Sequence, residues 1–160
     1  MNIFFLISHH FPIFILLFSS IYSLKYFSFT FFLIYLLLFG FFLNIILKYF
    51  TKFLFPYKKQ FMRPYKSTYN LNILNWGMPS GHSQIITLTA IFWILYLFNS
   101  NFKYKNIGIL ILFISIIIIS YSRIYFNYHN LFQVIIGNII GFIFGIIGYY
   151  LYKNIYNYYI

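Results

Sequence analysis

The chain has 160 residues, of which 62% are hydrophobic and 28% aromatic, and its formal net charge is +11 because it contains eleven Lys and Arg but no Asp or Glu. The missing side-chain carboxylates exclude Ca²⁺ or Mg²⁺ sites built on acidic residues, aspartyl-phosphate chemistry and a glycosidase acid–base pair. The absence of Cys excludes disulfides and thiolate nucleophiles. A charged fraction of 7% lies far below the rough quarter of soluble domains and indicates an integral membrane protein.

Five apolar stretches are long enough to cross a bilayer as helices, which takes about 20 residues. They are residues 3–22, 29–47, 83–98, 107–121 and 131–150. Because backbone groups find no partner in hydrocarbon, the sequence predicts an all-α, multi-pass bundle of about five transmembrane helices in a single domain, 1–160. The first stretch lacks the basic start of a secretory signal and is expected to be a retained helix.

Five alternating spans place the segments 48–82 and 122–130 on one membrane face. That face carries more Lys and Arg than the other, and an excess of these residues is typical of the cytoplasmic side. The orientation stays open, because several of these cations are candidates for a functional site.

The first polar cluster runs from Lys58 to Pro64. A helix continuing from the second span is predicted to end near Arg63, because the residue before a proline disfavours the α conformation. Lys59 and Arg63 are four residues apart and would share a helical face. A basic segment on a surface of anionic lipid headgroups would explain the lysines equally well.

The second cluster, Gly77 to Gln84, directly precedes the third span. Ser80 is predicted to be the N-cap of the following helix, and Gly81 allows a ligand to approach the backbone closely. The N-terminus of a helix is a binding site for phosphate. The alternative is an ordinary Pro-Ser-Gly helix start in which His82 has no function.

The third cluster comprises Ser122, Arg123, His129 and Gln133. An arginine at the end of a span must reach the interface or an anion, and His129 and Gln133 are predicted to share one face of the last helix. This face continues through Gly137, Gly141 and Gly145. Small residues at four-residue spacing let helices approach closely, so the face is predicted to point into the bundle.

Together the clusters supply the parts of a phosphoryl-transfer site that needs neither metal nor cofactor. Arginine guanidinium groups bind phosphate oxygens, one histidine can attack phosphorus and the other can protonate the departing oxygen. The expected partners are a membrane lipid phosphate or diphosphate and the bilayer, with no nucleic acid.

In this order the clusters resemble the three-part signature of the type 2 phosphatidic acid phosphatase superfamily, over residues 48–145, with residues 1–47 forming two N-terminal spans. Within it the sequence is most similar to the dolichyldiphosphatase group. The matching segments are Gly77-Met78-Pro79-Ser80, His82-Ser83-Gln84, Ser120-Tyr121-Ser122-Arg123, Tyr128-His129 and Gln133-Val134.

This resemblance implies a metal-independent enzyme in which His129 is the nucleophile, forming a phosphohistidine, and His82 is the general acid. The residues that it implies for holding the phosphoryl oxygens are Arg63, Arg123, Ser80 and Gly81. Integral members of the family usually have six spans, one more than predicted here.

The sequence departs from the family pattern at two positions. Pro56 occupies the usual position of a lysine, and Lys59, whose distance along a helix from Arg63 is about 6 Å, is expected to replace it. Gln133 stands where most members have Asp. Its carbonyl can accept the Nδ1–H of His129 but cannot stabilise an imidazolium by charge.

A neutral partner for His129 favours a substrate with a good leaving group, such as a diphosphate. Together with the resemblance to the dolichyldiphosphatase group, this implies hydrolysis of a polyisoprenyl, dolichyl-type diphosphate in an endoplasmic-reticulum-type membrane. The alternatives are a phosphatase for phosphatidate or another lipid monophosphate, and a catalytically weak protein that binds lipid phosphate.

Overall fold

A computed structural model describes residues 27–55, 59–64 and 76–159, and the elements named in these ranges are all helical. They are α1 (Phe27–Tyr35), a π-helical segment (Leu36–Phe42), α2 (Leu43–Leu54), a short 3₁₀ helix (Lys59–Phe61), α3 (Gly81–Phe98), α4 (Lys105–Tyr125) and α5 (Leu131–Tyr159). The first predicted span, residues 3–22, lies outside the described residues.

Four helical stretches within the described ranges are long and apolar enough to cross a membrane. They are Thr30–Leu54, Gly81–Phe98, Lys105–Tyr125 and Leu131–Asn157. They coincide with the second to fifth stretches predicted from the sequence, so the prediction of an all-α membrane bundle is confirmed. Their exposed apolar side chains, such as Ile107, Ile111 and Ile117 on α4, provide the surface that a bilayer requires.

The prediction that a helix continues from the second span to Arg63 is wrong. Helix α2 ends at Leu54, and Phe55 leaves the helical conformation with φ −135° and ψ 52°. Phe55 precedes Pro56 in the sequence, and a residue before proline disfavours the α region. The proline that ends this helix is therefore Pro56 rather than Pro64.

Helix α5 packs most extensively against α3, along the glycine face predicted from the sequence. A Cβ atom at Gly137 would lie 2.6 Å from the carbonyl oxygen of Ser80, and one at Gly145 would lie 2.9 Å from that of Leu88. At Gly141 a Cβ would collide with the carbonyl oxygen of Gln84. The inward orientation of this face is confirmed, and it brings two backbones into direct contact.

Polar side chains fasten the π-helical segment and α2 to the start of α3. The side-chain amide of Gln84 donates to the carbonyl oxygen of Phe39 in the π-helical segment, at 2.8 Å. Asn44 Nδ2 on α2 donates to Gln84 Oε1, also at 2.8 Å. Both side chains are buried, so these bonds fix the position of the α3 N-terminus relative to the preceding span.

The substitution Gly141→Ala is expected to destabilise the bundle by roughly 1–3 kcal/mol, because the new methyl group would press on the rigid backbone of α3. Thermal unfolding in detergent micelles measures this effect. Gly108→Ala is the matched control, since its Cβ would meet only the flexible end of Leu97, at 3.0 Å. Equal unfolding temperatures for the two variants would contradict the proposed packing.

Candidate functional site

The first turn of α5 joins the second and third sequence clusters. The side-chain oxygen of Asn130 accepts a hydrogen bond from the backbone N–H of Gln133 at 2.9 Å, as an N-cap residue does. The backbone N–H of Ser80, immediately before α3, donates to the carbonyl oxygen of Gln133 at 3.1 Å. The N-termini of α3 and α5 therefore meet at one end of the bundle.

The end of α4 fixes the backbone position of His129 relative to Arg123. Asn127 adopts the left-handed conformation with φ 56°, and its N–H donates to the carbonyl oxygen of Ile124 at 2.9 Å. The N–H groups of Tyr128 and His129 both donate to the carbonyl oxygen of Arg123, at 3.0 and 3.1 Å. This is a Schellman-type helix end, in which asparagine is one of the residues that tolerate the left-handed position.

His129 is 4% exposed, and its Nδ1 lies 3.0 Å from Oε1 of the fully buried Gln133. The amide nitrogen of Gln133 donates to the carbonyl oxygens of Gln60 and Met62, at 2.9 and 2.8 Å. Because both of those partners are acceptors, the amide oxygen must face the imidazole, and Nδ1 must carry the proton. The other ring nitrogen, Nε2, then has a lone pair available for attack.

The surroundings of His129 keep its imidazole neutral. The pKa of His129 is lowered to about 3, first by burial and next by the charge of Arg63. The hydrogen bond with Gln133 raises the pKa, whereas the charges of Lys48 and Arg123 lower it further. At neutral pH the ring is unprotonated, as a nucleophile must be.

Two arginines, of which Arg123 is buried and Arg63 is half-buried, contribute positive charge near His129. Arg123 is 2% exposed, its Nε donates to the hydroxyl of Ser122 at 3.2 Å, and its guanidinium lies 5.3 Å from the ring centroid of Tyr128. The Nε of Arg63 is buried and has no hydrogen-bond partner among the described residues. Burial lowers the pKa of Arg63, while Tyr128 raises it. With no Asp or Glu in the chain, a bound anion is a suitable partner for the Nε of Arg63.

Lys48 is a candidate site residue that the sequence analysis missed. It interacts electrostatically with both Arg63 and His129. On the same face of α2, Asn44 Nδ2 lies 3.5 Å from the carbonyl oxygen of Pro79. The hydroxyl of Thr51 donates to the carbonyl oxygen of Met78 at 3.0 Å. Lys48 therefore lies between two contacts with the Gly77–Gln84 segment.

The sequence does contain one indication of Lys48, namely a row of polar residues on one face of an otherwise apolar helix. Asn44, Lys48 and Thr51 follow helical spacing in the second span. The side chain of Lys59 is outside the part of the chain that the structure describes, so its predicted role stays a prediction.

The remaining candidates of the second cluster lie at the start of α3. Ser80 is the N-cap residue by position, but its side chain makes no capping bond, and its hydroxyl lies 3.0 Å from that of Ser83. A Cβ at Gly81 would lie 2.9 Å from Asn44 Oδ1. His82 is half-buried in the first turn of α3, at the same end of the bundle as His129.

The site thus combines a neutral imidazole, surrounding cations and a helix N-terminus. This set of groups can bind a phosphoryl group and attack it. Within residues 27–55, 59–64 and 76–159, no three His, Cys, Asp or Glu side chains come together in a way that could hold a metal ion.

Comparison with known protein families gives one match. The family model described as the PAP2 superfamily matches residues 9–157, nearly the whole chain. No curated protein matches the sequence significantly. No solved structure does so either.

The substitution Asn127→Val is expected to lower the rate of phosphate release from a lipid phosphate about tenfold. A β-branched residue resists a positive φ, at a cost of about 1–2 kcal/mol, and would displace the backbone that carries His129. Steady-state kinetics in detergent micelles measures the effect. Asn127→Gly, which accepts the same conformation, should stay within about twofold of the native rate, and equal losses in the two variants would contradict this account.

Lys48→Met is expected to raise the inhibition constant of orthovanadate, a phosphate analogue, about tenfold, because it removes one cation that faces the His129 site. The same measurement on Lys59→Met tests the lysine predicted from the sequence. Lys153→Met, at an exposed position near the end of α5, serves as the control. A loss of affinity in Lys59→Met alone would assign the role to Lys59 and exclude Lys48.

Proposed function

The chain belongs to the PAP2 superfamily, and from this premise we propose that it is a metal-independent lipid phosphatase that hydrolyses a polyisoprenyl, dolichyl-type diphosphate through a phosphohistidine intermediate. Members of the superfamily are phosphatases, and the membrane-helical fold suits a lipid substrate. The observation that carries the mechanism is the hydrogen bond between His129 and Gln133, which leaves Nε2 unprotonated on a ring whose pKa is lowered by burial and by nearby cations.

In the proposed first step, Nε2 of His129 attacks the terminal phosphorus of the diphosphate. A P–N bond forms while the bond to the bridging oxygen breaks, and His82 donates a proton to that oxygen. The lipid monophosphate leaves. In the second step, His82 takes a proton from water, the water oxygen attacks phosphorus, and the P–N bond breaks to release orthophosphate.

Positive charge accounts for binding and for part of the rate enhancement. The substrate phosphoryl group brings negative charge, and the guanidinium groups of Arg63 and Arg123 and the ammonium group of Lys48 can share its oxygens. The backbone at Ser80 and Gly81 adds a helix N-terminus to the same region. The negative charge of a bound phosphate would also attract the protonated imidazole of His82.

Gln133 supports a diphosphate rather than a monoester substrate. The amide orients His129 but provides no negative charge to stabilise the ring when it becomes cationic in the phosphohistidine. A leaving phosphate needs less assistance than a leaving alkoxide, so a diphosphate tolerates this weaker support. The alternative substrate is phosphatidate, or another lipid monophosphate.

The purified protein is expected to release orthophosphate from dolichyl diphosphate in the presence of EDTA, and His129→Ala should reduce the rate at least about a thousandfold, because the nucleophile is lost. A substrate labelled in the terminal phosphate should give an acid-labile, base-stable phosphoprotein in the native chain only. Thermal unfolding of the variant shows whether it remains folded.

Each other outcome points to a different conclusion. Faster hydrolysis of phosphatidate than of dolichyl diphosphate would replace the proposed substrate. Loss of activity on chelation, or activity that survives His129→Ala, would exclude the mechanism. Lipid binding without a trapped phosphohistidine would identify a binding protein rather than an enzyme.

A further inference from the structure

Two side-chain amides at the start of α5 donate to the segment that carries Arg63. Asn130 Nδ2 lies 2.6 Å from the carbonyl oxygen of Gln60. Gln133 Nε2 lies 2.9 Å from the same oxygen and 2.8 Å from the carbonyl oxygen of Met62. Arg63 follows Met62 directly, so these three hydrogen bonds hold the backbone immediately before it.

The oxygens of the same two amides are also used. Asn130 Oδ1 accepts from the backbone N–H of Gln133, and Gln133 Oε1 faces Nδ1 of His129. Each amide therefore works as a donor toward the arginine segment and as an acceptor toward the nucleophile or its helix. A carboxylate at either position could provide only the acceptor half.

Close packing restricts the side-chain conformation of Gln133. A Cβ at Gly77 would lie 2.8 Å from Gln133 Cδ. The N–H of Gly77 donates to the carbonyl oxygen of Phe61 at 2.8 Å, so the 59–64 and 76–77 segments enclose the amide. With an exposed fraction of 0%, Gln133 has no solvent to replace a lost partner.

We propose that Asn130 and Gln133 form a carboxamide clamp that positions Arg63 relative to His129, and that this clamp is the reason an amide rather than a carboxylate occupies position 133. The catalytic meaning of the clamp rests on the proposed function. The residues act through Arg63 and His129 and are positioning residues. At position 133 a carboxylate would place negative charge against two carbonyl oxygens and release the arginine segment.

The variant Gln133→Glu distinguishes the clamp from the alternative in which residue 133 only supports His129, as the carboxylate of a His–carboxylate pair does. A carboxylate that merely strengthened the support of His129 would raise kcat. The clamp predicts the opposite, a fall in kcat/KM of about tenfold or more, because the two hydrogen bonds to the carbonyl oxygens of Gln60 and Met62 are lost. A native or higher kcat/KM would overturn the proposal.

Asn130→Asp is the cleaner second variant. Aspartate keeps the acceptor that caps α5, yet it cannot donate to Gln60, and it leaves the hydrogen bond between His129 and Gln133 in place. We expect kcat/KM to fall about tenfold, mainly through KM. Asn154→Asp, which adds a carboxylate at an exposed position of the same helix, is the matched control and should remain within about twofold.

A double-mutant cycle tests whether Asn130 acts through the arginine. Combined with Arg63→Lys, which already loses the fork geometry, Asn130→Asp should cost no more than about twofold. An undiminished tenfold effect in the Arg63→Lys background would overturn a positioning role and leave only a structural one.

A measurement independent of activity distinguishes failure of the clamp from failure of the proposed function. Since the chain has no cysteine, spin labels can be attached at Gln60→Cys and Phe102→Cys, both at exposed positions. The distance distribution should broaden in Gln133→Glu and Asn130→Asp, but not in Asn154→Asp. If the two variants broaden the distribution but the native chain releases no phosphate, the clamp is supported and the proposed enzyme is refuted. If the native chain is active but the variants leave the distances unchanged, the clamp alone is refuted.

Discussion

Positive charge gathered around His129 without any side-chain carboxylate is the constraint on which the site depends. Arg63, Lys48 and Arg123 all lower the pKa of His129, and the chain offers them no Asp or Glu. Holding several cations close together without a carboxylate costs free energy, which other interactions of the folded protein must offset. In the proposed mechanism, a phosphate anion bound among these groups would relieve that cost.

Hydrogen bonds from neutral side-chain amides connect elements of this protein that ion pairs could connect in a protein with carboxylates. The pair Asn44 and Gln84 ties α2 to α3, and the pair Asn130 and Gln133 ties α5 to the Arg63 segment. A carboxamide offers a donor and an acceptor in one side chain, whereas a carboxylate offers acceptors only. Such groups can connect elements without cancelling the positive potential of the site. The glycine contacts between α3 and α5 set the frame on which these bonds are made.

The sequence was sufficient to predict the second to fifth spans and the meeting of the second and third clusters, because span length and four-residue spacing are local properties. Gly137, Gly141 and Gly145 face α3 as their spacing predicts. Lys48 was not predicted as a site residue, because it lies fifteen residues before Arg63 in the sequence. The two are brought close enough to interact only by the path of the chain from α2 to the 59–64 segment. The bonds from Gln133 to Gln60 and Met62 depend on the same path. No local spacing rule encodes contacts between residues more than seventy positions apart.

The helix end after Arg123 has a further consequence for how such a protein can change over time. The carbonyl oxygen of Arg123 accepts hydrogen bonds from the N–H groups of both Tyr128 and His129. Main-chain hydrogen bonds therefore fix the spacing between Arg123 and His129. Asn127 is constrained by its positive φ and Tyr128 by its contact with the Arg123 guanidinium, whereas the other side chains in the interval are free to vary. The number of residues is not, because one inserted or deleted residue would rotate the imidazole away from Gln133. The spacing between Arg123 and His129 is therefore more tightly constrained than the identity of most residues within it.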